Sequence, residues 1–307
     1  MGKFDIISFS LLSPMKPNNN FIWSVFMSEH QSFLPGTEIE IVNPNVELGK
    51  IKHVLFDFDG TISLLREGWQ NIMGPMCVEM ICGEHEPTPE IEKEVADMID
   101  ETTGIQTIFQ MQRLVEMVKA HGLVPADKIL DEWGYKAIYN ERLLMPVRER
   151  IQKLKNGEVT LEQMTVRKVF SFLDELKKRN VTMYVFSGTD REDVQHEASV
   201  LGADKYFAEI WGALPSIEEY SKEKVIREII STHNLHGPEV MAVGDGPVEL
   251  RNVKEQGGIA LGVASDEKKG YGWDMHKRKR LLRAGADILI PDFSEYDKLI
   301  KYLFCET

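Results

Sequence analysis

Residues 53–61 read His-Val-Leu-Phe-Asp-Phe-Asp-Gly-Thr, and this segment decides the interpretation of the whole chain. Its first four residues form a largely apolar run, which predicts a strand buried inside a parallel sheet. Asp57 and Asp59 follow this run, and Gly60 then interrupts the strand. Because ligands of an open α/β sheet bind beyond the carboxyl ends of its strands, we expect both carboxylates to face one ligand there.

Three later segments place polar side chains after an apolar strand or at the start of a helix. They are residues 181–189, which end in Ser187, Gly188 and Thr189; residues 221–226, which carry Lys222 and Lys224; and residues 240–249, which carry Asp245 and Glu249. Each of these side chains has an ordinary structural role when it is taken alone, such as a helix cap or a solvated charge. Their order along one chain favours a functional interpretation.

The four segments together resemble the motifs of the haloacid dehalogenase-like hydrolase superfamily. The second aspartate of the first segment, Asp59, places the resemblance in the phosphatase branch, among proteins similar to phosphoglycolate phosphatase and β-phosphoglucomutase. In architecture the resemblance extends over about residues 51–295. It implies an enzyme that acts on phosphate monoesters.

The pattern of elements predicts an α/β fold. Strands and helices alternate from residue 51 onward, as in a Rossmann-like doubly wound parallel sheet. Residues 66–165 have helical periodicity instead, and the resemblance implies that this insertion is an all-helical cap domain. We therefore predict a poorly interpretable extension at 1–45, a catalytic core formed by 46–65 and 166–307, and a cap at 66–165.

The resemblance assigns the reacting groups to the first segment. Asp57 is the expected nucleophile, which forms an aspartyl-phosphate and divides a slow hydrolysis into two easier displacements. Asp59 is the expected general acid for the leaving alkoxide and then the base that activates water. Ser187 and Gly188 are expected to bind phosphoryl oxygens. Lys222 is expected to neutralise the phosphate together with Asp57, and Lys224 is the rival candidate.

The same resemblance implies a magnesium ion. Its expected ligands are the carboxylates of Asp57 and Asp245 and the backbone carbonyl of Asp59. Oxygen ligands of this kind suit Mg²⁺. Glu249 stands where a second aspartate is commoner in the family, and we expect it to reach a metal-bound water or to orient Lys222 rather than to bind the metal.

Two other groups of residues lie outside these assignments. Arg66 and Trp69 follow the first segment closely and are possible substrate contacts, because family members use the start of the cap for that purpose. Residues 276–280 form a basic run, His-Lys-Arg-Lys-Arg, in an otherwise acidic protein. We expect this run to be a solvated helix face, or one that pairs with the acidic cap.

Bulk composition restricts the partners. The chain has 307 residues, a net charge of −13 and a pI near 5.2, which argues against a nucleic-acid-binding surface. No long uninterrupted apolar window predicts a membrane span. The three cysteines form no even framework, as expected for reduced thiols in a cytoplasmic protein. Monomer and homodimer are equally compatible with the sequence.

The first residues give weak signals only. No convincing cleavage pattern for a secretory leader follows the apolar start, and position 6 is not the Ser or Thr of a myristoylation site. Translation from Met27 is one hypothesis.

The predicted function is a Mg²⁺-dependent phosphatase that acts on a small soluble phosphorylated metabolite, either a sugar phosphate or a phosphoglycolate-like acid. Three alternatives remain open. A phosphomutase of the β-phosphoglucomutase type would return the phosphoryl group to a sugar hydroxyl. A non-catalytic partner protein would retain the fold alone. A metal-dependent glycosyltransferase would also use an Asp-x-Asp pair, but no segment suggests a nucleotide-sugar site.

Overall fold

The computed structural model describes residues 32–214 and 222–306, and the side chains of all of these except 222 and 223. The hypotheses about a leader, a myristoylation site and a start at Met27 therefore fall outside the described residues.

A seven-stranded sheet forms the centre of the described chain. Its strands are β1 Glu40–Ile41, β2 His53–Phe56, β3 Thr182–Asp190, β4 Glu209–Ala213, β5 Val240–Gly244, β6 Ile259–Val263 and β7 Ile288–Ile290, in the order β1-β7-β6-β5-β2-β3-β4. All pairs are parallel except β1 with β7. This mostly parallel sheet confirms the predicted Rossmann-like α/β class.

Ten α-helices are described. Four lie between β2 and residue 166: α1 Gln70–Cys82, α2 Pro89–Glu101, α3 Thr107–His121 and α4 Glu132–Lys155. The other six are α5 Val169–Lys178, α6 Arg191–Val200, α7 Lys222–His233, α8 Pro247–Glu255, α9 Met275–Arg283 and α10 Tyr296–Leu303. Short 3₁₀ turns lie at Ala126–Lys128, Leu161–Gln163, Asp204–Tyr206 and Gly237–Glu239. None of these helices combines the length and apolarity that a membrane crossing requires.

Helices cover both faces of the sheet, because side chains alternate along each buried strand. Val54 and Phe56 of β2 belong to the cluster that also contains side chains of α5, α6 and α10. Leu55 points the other way, into a cluster with side chains of α7, α8 and α9. Burial on both faces explains why residues 53–56 show no clean alternation of polar and apolar residues.

The four helices α1–α4 form the inserted segment. Their apolar faces join the same cluster as α5 and α10, and Met73, Met76 and Met111 are fully buried there. Thr88 caps α2 by accepting a hydrogen bond from the Ile91 amide, and α3 ends at His121 with Gly122 as a left-handed cap. The division into core and cap at residues 66 and 165 stays a prediction.

Two predicted features differ in the structure. Strand β1 lies within the segment 1–45 that we could not interpret, because two residues are too short for a periodic signal. The alternation of elements also predicts a strand over residues 205–211, but this segment begins with a 3₁₀ turn and β4 starts only at Glu209. Pairing between β4 and β3 begins at this residue, because Glu209 is opposite Tyr184.

Candidate active site

The register of three strands brings the predicted residues together. Phe56 at the end of β2 is opposite Val185 of β3 and Val243 of β5. Asp57, which follows Phe56, donates its backbone N–H to the Val243 carbonyl at 2.8 Å. Ser187 and Asp245 therefore leave their strands at nearly the same level as Asp57, and all three line one pocket.

Gly60 shapes the turn that carries the two aspartates. Its φ of +77° is in the left-handed region, and a Cβ added there would overlap the Oδ2 atom of Asp245. Glycine is thus required both by the backbone angle and by the approach of a second site residue. This explains the end of the apolar run at Asp-Phe-Asp-Gly.

Three buried carboxylates form a cluster suited to a cation. Oxygens of Asp57, Asp245 and Glu249 lie within 4.8 Å of one another. Glu249 is held by the Gly246 amide, which donates to its Oε1 at 2.7 Å, and the missing side chain of Gly244 leaves room for it. Hard oxygen ligands in this arrangement fit Mg²⁺. Glu249 lies in the cluster itself, closer to a ligand position than we expected.

The Asp59 carboxylate has different neighbours. Its Oδ2 accepts hydrogen bonds from the hydroxyls of Thr189 at 2.8 Å and Ser187 at 3.3 Å. Its Oδ1 is buried and accepts no hydrogen bond from the described residues. Burial raises the pKa of Asp59, although Arg66 and the two hydroxyls counteract part of this effect. A buried carboxyl with a raised pKa and one unoccupied oxygen can carry a proton.

Arg66 supports this side of the pocket. Its guanidinium donates to Glu197 Oε1 at 2.6 Å and to Asp193 Oδ2 at 3.3 Å, whereas its Nε is 3.9 Å from Asp59 Oδ1. Burial, with two acidic neighbours, raises the pKa of Glu197 to about 7. Arg66 lines the pocket, as does Trp69, but the hydrogen bonds of its guanidinium go to α6. Direct substrate contact by either residue stays a prediction.

A lysine from the basic run supports the opposite side. Lys277 is only 5 % exposed, and its Nζ donates to Asp245 Oδ2 at 2.9 Å and to Glu267 Oε1 at 2.7 Å. The expectation of a solvated helix face is therefore wrong at this position. Spacing contained the missing signal: Lys277 is four residues before the fully buried Leu281, so both occupy the inward face of α9.

The other basic residues of α9 agree better with the expected pairing. Arg280 donates to Asp100 of the helix α2 at 3.2 Å and to the Asp245 carbonyl at 3.2 Å. Arg278 pairs with the buried Glu40 of β1. The run therefore ties α9 to both the inserted helices and the sheet edge.

The inserted helices close the pocket. It has a volume of about 80 Å³, which is the space of roughly two or three waters. The cap side is lined by Thr103, Gly104, Ile105, Thr107, Gln110, Tyr139 and Leu143. At Gly188 an added Cβ would lie 2.5 Å from the Ile105 carbonyl, so the cap backbone touches the irregular last part of β3. No sequence motif predicts these contacts.

A larger cavity of about 940 Å³ adjoins the pocket, and Thr103 lines both. It lies between α1, α2 and α9. Lys277 and Glu267 form part of its wall on the core side.

The predicted phosphate-binding lysine cannot be placed. Lys222 is the first residue of α7, but its side chain is outside the described part of the structure. Lys224, the rival candidate, is exposed on the same helix. The choice between the two stays a prediction.

Two aspartates on one turn, a carboxylate cluster for a cation and a helical lid define a hydrolytic enzyme of the α/β class. The chain belongs to the haloacid dehalogenase-like hydrolases, because the model of that family matches residues 51–254. This confirms the resemblance and the hydrolase class predicted from sequence. No curated protein sequence matches the chain.

Solved structures show the same fold at low identity. A predicted phosphoglycolate phosphatase from Haemophilus somnus is 17% identical with a TM-score of 0.54, over 81% of this chain and 98% of that one. A β-phosphoglucomutase from Clostridium difficile is 13% identical with a TM-score of 0.53, over 84% and 100%. A phosphonoacetaldehyde hydrolase-like protein from Oleispira antarctica is 15% identical with a TM-score of 0.55, over 86% and 96%.

Proposed function

We propose that this protein is a Mg²⁺-dependent phosphatase that hydrolyses a small phosphorylated metabolite through an aspartyl-phosphate on Asp57. The observation that carries the proposal is the convergence of Asp57, Asp59, Ser187 and Asp245 on one narrow pocket. These four residues come from three separate segments of the sequence, yet the strand register brings them to one edge of the sheet.

In the first step, the Asp57 carboxylate attacks phosphorus and the bond to the substrate oxygen breaks. Asp59 gives its proton to that oxygen, which leaves as an alcohol. In the second step, Asp59 takes a proton from water, the water attacks phosphorus, and inorganic phosphate and free Asp57 result. The unoccupied Oδ1 of Asp59 supports this role, since it is available for the shared proton.

Neutralising charge is the other requirement of phosphoryl transfer. The cluster of Asp57, Asp245 and Glu249 would hold Mg²⁺, which when bound neutralises phosphoryl oxygens. The Ser187 hydroxyl, which now donates to Asp59, would turn to a phosphoryl oxygen, with the Gly188 amide beside it. Lys222 would complete the set.

The pocket size supports a small substrate. The pocket beside the two aspartates is narrow, about 80 Å³, and the adjoining cavity of about 940 Å³ offers room for a leaving group. Sugar phosphates and phosphoglycolate-like acids are the proposed substrate classes. A cytoplasmic location and a monomer or homodimer stay predictions.

The test is phosphate release from a panel of phosphorylated metabolites, with Mg²⁺ and with a chelator. We expect release from a few related compounds, loss of that release with chelator, and no turnover by Asp57→Asn in spite of an unchanged fold. The exposed Asp127→Asn serves as the matched control and should behave as wild type. Unchanged turnover by Asp57→Asn would overturn the mechanism, and a transferred rather than released phosphoryl group would favour the phosphomutase.

A further inference from the structure

Lys277 is a buried cation outside all four sequence motifs, yet it contacts a proposed cation ligand. Its ammonium lies 2.9 Å from Asp245 Oδ2 and 2.7 Å from Glu267 Oε1. Asp245 and Glu267 are themselves shielded from solvent, with 10% and 15% of their side chains exposed. The three groups therefore form a chain of charges that leads from α9 into the carboxylate cluster.

The position of this lysine is fixed by the backbone around it. Asp274 caps α9 by accepting hydrogen bonds from the amides of His276 at 2.8 Å and Lys277 at 3.0 Å. Glu267 belongs to the loop before α9, which is joined to the catalytic turn where the Ser265 hydroxyl donates to the Gly60 carbonyl at 3.4 Å. Both partners are thus held by elements that touch the site.

The ammonium remains charged in this environment. Burial alone would lower the pKa of Lys277, but the carboxylates of Asp245 and Glu267 outweigh that effect and raise it. A buried lysine with two charge-assisted hydrogen bonds is also directional, since it can bind only the oxygens that face it.

We propose that Lys277 is a positioning residue of the cation site: it binds the Oδ2 atom of Asp245, with Glu267 as its anchor, and leaves the Oδ1 atom of Asp245 to the cation. This inference rests on the proposed function, because it assumes that Asp245 is a cation ligand. Partners that orient a metal ligand commonly change metal affinity by about 10- to 100-fold when they are removed.

Other roles for Lys277 predict a different change in cation affinity when the lysine is removed. If Lys277 served only as a positive charge in place of the cation, its removal would strengthen the attraction of the three carboxylates for a divalent ion. If it served only the packing of α9, its removal would lower thermal stability and leave cation affinity unchanged. Cation affinity therefore separates positioning from both other roles.

The experiment measures binding of Mn²⁺ to the full chain by electron paramagnetic resonance, with competition by Mg²⁺, and needs no substrate. Lys277→Met keeps most of the side-chain volume. The matched control is Lys279→Met, which removes the same charge from the exposed face of the same helix. We expect Lys277→Met to bind Mn²⁺ about 10- to 100-fold more weakly than wild type, and Lys279→Met to bind as wild type.

A second variant covers the case in which Lys277→Met fails to fold because Glu267 is left unpaired. Lys277→Met with Glu267→Gln keeps the net charge of the site, so the charge-only role predicts no change, whereas positioning still predicts weaker binding. Circular dichroism and thermal melting confirm that each variant is folded. Unchanged or tighter binding in the folded variants would overturn the inference. Absence of Mn²⁺ binding by wild type would instead overturn the cation site of the proposed function.

Discussion

The two sides of the catalytic pocket are built on the same plan but with different spacing. On one side, the Asp59 side, the carboxylate of Asp59 faces Arg66, which is anchored by Glu197. On the other, the Asp245 side, the carboxylate of Asp245 faces Lys277, which is anchored by Glu267. Asp59 and Asp245 thus each have a buried cation behind them, and a glutamate lies behind each cation.

The distances differ in a way that matches the proposed roles. Arg66 stays 3.9 Å from Asp59, so it is an electrostatic neighbour without a hydrogen bond. Lys277 lies 2.9 Å from Asp245 and donates a hydrogen bond directly. A proton carrier must be able to lose and regain its proton, whereas a cation ligand must stay ionised and fixed. A difference of about 1 Å between a carboxylate and its neighbouring cation can therefore give two aspartates different functions.

The largest effect is expected for Asp59→Asn, which tests whether the two sides have separate roles. The amide cannot exchange a proton, so we expect turnover of alkyl phosphates to fall by about 10²- to 10⁴-fold. Cation binding should persist, because the Asp59 carboxylate is outside the cluster of Asp57, Asp245 and Glu249. Steady-state kinetics and Mn²⁺ binding check the two halves. Loss of both would show that the two sides do not have separate roles.

Gly60→Ala changes the turn that carries Asp59 and contacts Asp245, so it affects both sides of the pocket. The new Cβ would push Asp245 away and would strain a backbone angle of +77°. A displacement of about 1 Å can cost about 10²-fold in rate, and we expect kcat to fall by about that factor. The matched control is Gly122→Ala, which also has a left-handed angle but no atom within 4 Å. It should lose stability and keep its activity; equal activity of the two variants would contradict the account.

Glu197→Gln tests the Asp59 side of the pocket through the pH dependence of the unfolding free energy. Because burial raises the pKa of Glu197 to about 7, the folded chain binds this proton more tightly than the unfolded chain, whose pKa is near 4.5. The stabilisation from Glu197 is complete below pH 4.5 and is lost as the pH rises through 7. We expect wild type to lose up to about 3 kcal/mol more unfolding free energy than Glu197→Gln between pH 4.5 and pH 8.

Urea unfolding at several pH values measures this difference. The control is Glu192→Gln, which removes a carboxylate from the exposed face of the same helix and should retain the wild-type slope. Parallel pH profiles for wild type and Glu197→Gln would show that Arg66 keeps Glu197 fully ionised.

The smallest expected effect concerns the lid over both sides. At Gly188 an added methyl would press on the Ile105 carbonyl at 2.5 Å and displace the cap segment from the last part of β3. We expect Gly188→Ala to raise KM several-fold with little change in cation affinity, since the cluster is on the other side. Substrate titration checks this, and an unchanged KM would argue against cap contact during turnover.

The residues at the edge of the sheet could be predicted from the sequence, whereas the buried charged residues behind them could not. Asp57, Ser187 and Asp245 each follow a recognisable apolar strand, and parallel strands that lie side by side end at one level, so their convergence was predictable. Glu197 and Lys277 lie inside helices, where their neighbours depend on how each helix packs. A charged residue on the inward face of a helix, such as Lys277 beside Leu281, is a weak signal that becomes meaningful only once the partner is known.

The most direct test of the central claim uses p-nitrophenyl phosphate, whose leaving group needs little protonation. Asp59→Asn should form the aspartyl-phosphate from it but hydrolyse it slowly, because no base activates water. We predict a burst of about one nitrophenolate per active site and one phosphoryl group on Asp57 by mass spectrometry of the quenched enzyme. A folded Asp59→Asn protein that turns over without any phosphoryl group on Asp57 would contradict the account.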